Sequence, residues 1–136
     1  MREKNRVENQ TWVWGCGLAA LLIAAALGAV TGLALNQDHR AAQYPGAVLI
    51  SSHSNYSSLP THYRWDNAYQ TTDSFTAVYN WYSTRFRLGA EARALGGCIL
   101  LEGTNRRLTV ERRMSVLLCD TPTDRKIYVT RSTSLR

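Results

Sequence analysis

One stretch decides what this chain can become. From Trp12 to Leu35 it reads WVWGCGLAALLIAAALGAVTGLAL, without a charged residue. As a helix rising roughly 1.5 Å per residue it spans about 36 Å, enough to cross a hydrocarbon core of about 30 Å. A helix satisfies its own backbone donors and acceptors where no water reaches them. Trp12 and Trp14 stand at its first end, where amphipathic indoles favour the headgroup layer. The expectation is a single-pass membrane protein with a tail at 1–11, a transmembrane helix at 12–35, a connector at 36–62 and a domain at 63–136.

The flanking charges set the orientation. Arg2, Lys4 and Arg6 precede the span, whereas Arg40 is the basic residue within fifteen positions after it. Lys and Arg are retained on the cytoplasmic side, so the tail is expected in the cytoplasm and the domain outside a bacterial cell membrane. The apolar core exceeds the roughly 7 to 15 residues of a cleaved signal peptide. Small residues from Ala29 to Ala34 keep cleavage open as the competing reading. Cys16 falls near the start of the span, not after it, which excludes lipid modification as an anchor.

Within the span, small residues recur at every fourth position: Cys16, Ala20, Ala24, Gly28 and Gly32. They form one row on a helix, and Gly28-Ala-Val-Thr-Gly32 is a GxxxG. Lipid gives apolar side chains no reason to prefer protein, so helices associate where small residues let backbones approach. Leu18, Leu22, Ile23 and Leu33 lie off the row, facing lipid. Ala and Gly are common in membrane helices anyway, but five in register favour docking on another transmembrane helix of a membrane complex.

Beyond the span, thirteen basic and eight acidic residues give +5 of the chain's +6. About a hundred residues suffice for one small domain. Pro45-Gly46 marks a turn, Ala47 to Ile50 allows a short strand, and Ser51 to Ser58 reads as a loop. His39, His53 and His62 lie singly in this connector and read as solvated. Tyr63, Trp65 and Tyr69 alternate with Arg64, Asp66 and Gln70, as a strand with one buried face requires. Thr72-Asp73-Ser74 offers N-cap oxygens to a helix over 73–88. Phe75, Val78, Tyr79, Tyr82 and Phe86 form its apolar face, and Gly89 is the expected stop. A polar link at 89–97 leads to a strand at 98–102, a turn at 103–106, a strand over 107–119, a turn at 120–125 and a strand at 126–132. The expected fold class is α+β, with a β-α-β-β-β antiparallel sheet and one helix packed on a face.

Cys98 and Cys119 would be bridged in an oxidising compartment. A tight turn at 103–106 would set Cys98 beside Glu111 and leave Cys119 out of reach, whereas a longer irregular link would join them. Two buried free thiols are the alternative. Arg106, Arg107, Arg112 and Arg113, with Arg125 and Lys126, give the domain a basic hairpin region that fits membrane phosphates or an acidic neighbouring subunit, or is simply a solvated face. Nucleic acid is not an expected partner outside the cytoplasm, and no RNA-binding signature accompanies the charge. Trp81 falls off the main apolar face of its helix and is a candidate contact residue. The other dense aromatics read as core. No nucleophile elbow, zinc-protease motif, P-loop or dinucleotide fingerprint occurs, so no catalytic, metal or cofactor residue is assigned.

YPGA at 44–47, YQTTDSF at 69–75, VYNWY at 78–82, the spaced cysteines and RSTSLR at 131–136 together resemble small anchored domains of filamentous phototrophic bacteria. Some single-span proteins of this build are similar to accessory subunits of membrane electron-transfer assemblies, such as alternative complex III or a reaction centre with its antenna. The resemblance implies a non-enzymatic subunit that holds neighbours together and has no cofactor of its own. It carries over no functional residue. The competing expectation is a free-standing anchored module that binds an extracytoplasmic ligand.

Overall fold

The computed structural model describes the backbone of residues 4–59 and 61–135, with side chains from 17 onward apart from 90–95. The chain divides into two compact units, 1–42 and 43–136. Trp12, Trp14 and Cys16 carry their side chains outside the described residues.

The first unit is one helix, α1 (Lys4–Ala41), 38 residues long. The sequence placed a connector from residue 36, yet the helix runs on through Asn36, Gln37 and Asp38. Gly17–Ala41 has a mean hydropathy of 2.4 and is long and apolar enough to cross a membrane. Leu18, Leu21, Leu22, Ile23, Leu27, Val30 and Leu33 are all more than 60% exposed. A helix that is apolar all round and uncovered by its own chain is compatible with a single-pass anchor.

The second unit is a six-stranded antiparallel sheet with one helix. Its elements are β1 (Val48–Asn55), β2 (His62–Thr71), α2 (Phe75–Phe86), β3 (Gly89–Leu95), β4 (Cys98–Arg107), β5 (Val110–Asp120) and β6 (Arg125–Leu135). The spatial order is β1-β2-β6-β5-β4-β3. The α+β class holds, but the β-α-β-β-β order is corrected to β-β-α-β-β-β-β. Two strands account for the difference. The Ser-rich run expected as a loop pairs with β2, with a bulge between Leu49 and Ser51, and the expected link at 89–97 pairs with β4. Both are edge strands, where little burial is needed to hold a strand and the apolar alternation that marks one is weak.

α2 begins where Ser74 accepts a hydrogen bond on its side-chain oxygen from the Ala77 N–H at 3.2 Å. It ends at Arg87, not at a glycine: Arg87 sits in the left-handed region (φ 53°) and its N–H donates to the Ser83 carbonyl. Val78 and Tyr82 on α2 are fully buried, as are Trp65, Tyr69, Leu101, Val116, Leu118, Ile127 and Val129 from the sheet. Each such side chain removed from water contributes about 1.5–3 kcal/mol, so this one face of the sheet dominates the unit's stability.

Register follows the β4–β5 hairpin. Arg107 pairs with Val110, which leaves Leu108 and Thr109 as a two-residue loop. Leu108 takes φ 52°, the backbone sign such tight loops demand. The expected turn at 103–106 is therefore strand. Gly103 serves packing instead: a Cβ there would lie 2.7 Å from Leu88 Cδ2. The same register sets Cys98 directly opposite Cys119, and the two are joined in a disulfide. Neither of the expected geometries applies; the bridge forms because the hairpin is longer than expected, not because it is irregular.

Candidate functional site, an arginine-lined cleft

The end of α2 and the hairpin end of β4 and β5 border a half-open cleft of about 610 Å³. Four of its arginines, Arg106, Arg107, Arg112 and Arg113, are those the sequence singled out. Three more come from elsewhere: Arg85 and Arg87 at the end of α2, and Arg131 on β6. Strand pairing explains the gathering. Asn105 lies opposite Arg112 and Met114 opposite Arg131, so Arg107, Arg112 and Arg131 share the face of the sheet that buries Met114, whereas Arg106, Arg113 and Glu111 alternate onto the other face. The left-handed cap at Arg87 turns the chain off the helix towards the same end. Phe86, Leu88 and Met114 contribute the apolar part of the lining.

No carboxylate lines this cleft among the described residues. One stands beside it: Glu111, with 7% of its side chain exposed, meets Arg106 at 3.0 Å and Arg113 at 2.6 Å.

Trp81 borders this region through its packing. Its ring meets Tyr44, Tyr82 and Phe86 edge-on at centroid distances of 5.4, 4.6 and 5.7 Å. The Arg85 guanidinium lies 5.2 Å from its centroid, and that of Arg131 lies 6.0 Å from the Phe86 centroid. A planar cation over an aromatic face is attracted by the ring quadrupole and held in place. Two of the cleft's arginines are thereby oriented by aromatic side chains.

The titratable groups elsewhere are structural. Burial pushes the Tyr82 and Tyr69 phenols up, and both lie in the core. Burial, and then the bond it donates to Asp73, raises Tyr44. Burial alone would raise Asp66, but the bonds it accepts from Arg64 and Thr130, with the Arg64 charge, outweigh this and lower it. Among the described residues no three of His, Cys, Asp and Glu converge as metal ligands would.

In α1 the described members of the small-residue row, Ala20, Ala24, Gly28 and Gly32, are exposed, and nothing lies within 4 Å of a Cβ placed on either glycine. What this chain defines is a small antiparallel α+β domain joined to one long apolar helix. No family model matches it, and no curated protein or solved structure matches it significantly.

Proposed function

We propose that the chain is a non-catalytic accessory subunit of a larger bacterial membrane complex. In this reading α1 crosses the membrane with its N terminus in the cytoplasm and docks on a neighbouring helix. The α+β domain then braces the extracytoplasmic face. The observation that carries the reading is the uncovered row of small residues on a helix that is apolar all round. Such a row offers close backbone approach, which is what drives helix association in lipid. The Cys98–Cys119 bond favours an oxidising compartment for the domain. An electron-transfer assembly as host rests on the sequence resemblance alone.

The test is mild-detergent solubilisation, native electrophoresis and mass spectrometry of the full chain from its native membrane. A stoichiometric set of comigrating proteins, lost on replacing Gly28 and Gly32 with Leu, is the expected result. A lone species, or comigration untouched by the double replacement, refutes docking through this row.

A second reading, a free-standing anchored ligand-binding module, is favoured by a different observation, the arginine-lined cleft. It predicts a lone species on the same gel that still binds an anion.

A further inference from the structure

We propose that the end of the sheet carrying Val48, Leu49 and Ile50 rests on the lipid bilayer that α1 crosses. This depends on α1 spanning the membrane, as proposed above, whatever partner that helix has.

Three observations carry it. The first is an unguarded apolar edge. Val48, Leu49 and Ile50 open the edge strand β1 and are 68%, 50% and 53% exposed. Edge strands are ordinarily shielded by charge or proline, yet β1, reading VLISSHSN, contains no Lys, Arg, Asp, Glu or Pro. The bulge between Leu49 and Ser51 bends and twists the strand at these residues, which spoils its outer edge for a further strand. Lipid makes no demand for a regular row of donors and acceptors, and it takes up apolar side chains from either face of a strand.

The second is reach. α1 leaves the apolar stretch at Leu35 and ends at Ala41, six residues and about 9 Å later, which for a spanning helix is the level of the headgroups. Val48 follows seven residues on, and a chain covers at most about 3.5 Å per residue, so covalent geometry alone keeps Val48 within about 25 Å of that level. The segment between is not extended. Ala42, Tyr44 and Ala47 are buried, and the Ala47 N–H donates to the Tyr44 carbonyl at 3.0 Å. The far end of the sheet has no such tether. Val48 shares a cross-strand row with Gln70, Lys126, Cys119 and Cys98, and the ten residues of β4 put Leu108 about 33 Å beyond that row.

The third is the company the apolar edge keeps. Lys126 lies in the Val48 row, and Tyr128, two residues on and on the same face of the sheet, is exposed. A lysine stem lies along apolar surface while its ammonium reaches phosphate oxygens, and a tyrosine ring with its hydroxyl suits the boundary between headgroups and acyl chains.

Photo-crosslinking of the full chain in nanodiscs of phosphatidylcholine and phosphatidylglycerol tests this, with p-benzoylphenylalanine placed at Leu22, Val48 or Leu108 and lipid adducts read by mass spectrometry. Leu22 reports whether α1 lies in lipid. Leu108, wholly exposed at the hairpin tip, reports chance collision. Adducts are expected at Leu22 and Val48, with several-fold fewer at Leu108. Leu49→Ser with Ile50→Ser should lower the Val48 adducts by on the order of tenfold, as half-burial of two aliphatic side chains is lost. Circular dichroism of each variant establishes that it is folded. Adducts at Leu22 with none above the Leu108 level at Val48 overturn the docking and leave the anchor standing. Crosslinks from Val48 to a second copy of the chain, or lipid adducts indifferent to the double serine replacement, overturn it as well. Absence of adducts at Leu22 removes the anchor itself and the docking with it.

Discussion

Breaking the Cys98–Cys119 bond should destabilise the domain by an amount that can be worked out from its place in the chain. The cysteines are 21 positions apart, so the bond closes a loop of about 22 residues in the unfolded chain. In the chain-entropy treatment a loop of that size removes about 11 cal/mol/K from the denatured state, or about 3 kcal/mol at 25 °C. Unfolding a unit that spans residues 43–136 carries an entropy of about 0.2 kcal/mol/K, so the melting temperature should fall by roughly 15 °C. The double replacement of Cys98 and Cys119 by Ser should still fold, because the rest of the β4–β5 ladder is independent of the bond. Thermal unfolding followed by circular dichroism, on the full chain in detergent, compares this variant with the native protein with and without reductant. Melting points that coincide within a few degrees would show that the bond does not close this loop. Recovery of both thiols free from protein made in an oxidising compartment would refute the hairpin register itself, since a shift of one residue puts the two side chains on opposite faces.

Two further predictions concern the same domain. Gly103→Ala sets a methyl group 2.7 Å from Leu88 Cδ2 and should cost about 1–3 kcal/mol, an amount reduced when Leu88→Ala is made alongside; strictly additive effects in denaturant titrations would contradict the close approach. Because Asp66 is lowered in the fold, the stability it provides is present above its unfolded pKa of about 4 and is lost as pH falls through the folded value. The melting-temperature gap between native protein and Asp66→Asn should therefore narrow below about pH 4, and a gap constant from neutral to strongly acidic pH would refute this.

How far the sequence reveals this architecture depends on the residues concerned. β2 and α2 were legible because Trp65 and Tyr69 recur at strand period and Val78 and Tyr82 at helical period, and all four are buried. β1 was not, since Ser51, Ser52 and Ser54 lie on an edge where neither face needs apolar side chains. The hairpin turn was misplaced because Gly103-Thr-Asn is a common turn signal, whereas the actual loop sets Leu108, wholly exposed, at positive φ. The cysteines held the missing clue. Facing partners in an antiparallel pair have position numbers with a constant sum, and joining 98 to 119 centres the loop between 108 and 109. Half the cleft was legible as a run of arginines. Arg85, Arg87 and Arg131 were not, because their part depends on where a helix ends and on which strand lies beside β5.

The central place of β6 has a consequence for how the domain is made. It joins the β1–β2 pair to the β3–β4–β5 block, and its partners in β2 lie 54 to 72 positions earlier, from Thr71 with Arg125 to His62 with Ser134. Until Arg125–Leu135 pairs, no strand lies between the β1–β2 pair and the β3–β4–β5 block. Completion is therefore a late, long-range event of the kind that folds slowly. A tag or truncation that disturbs these last strand residues cuts the sheet through its middle, not at its margin.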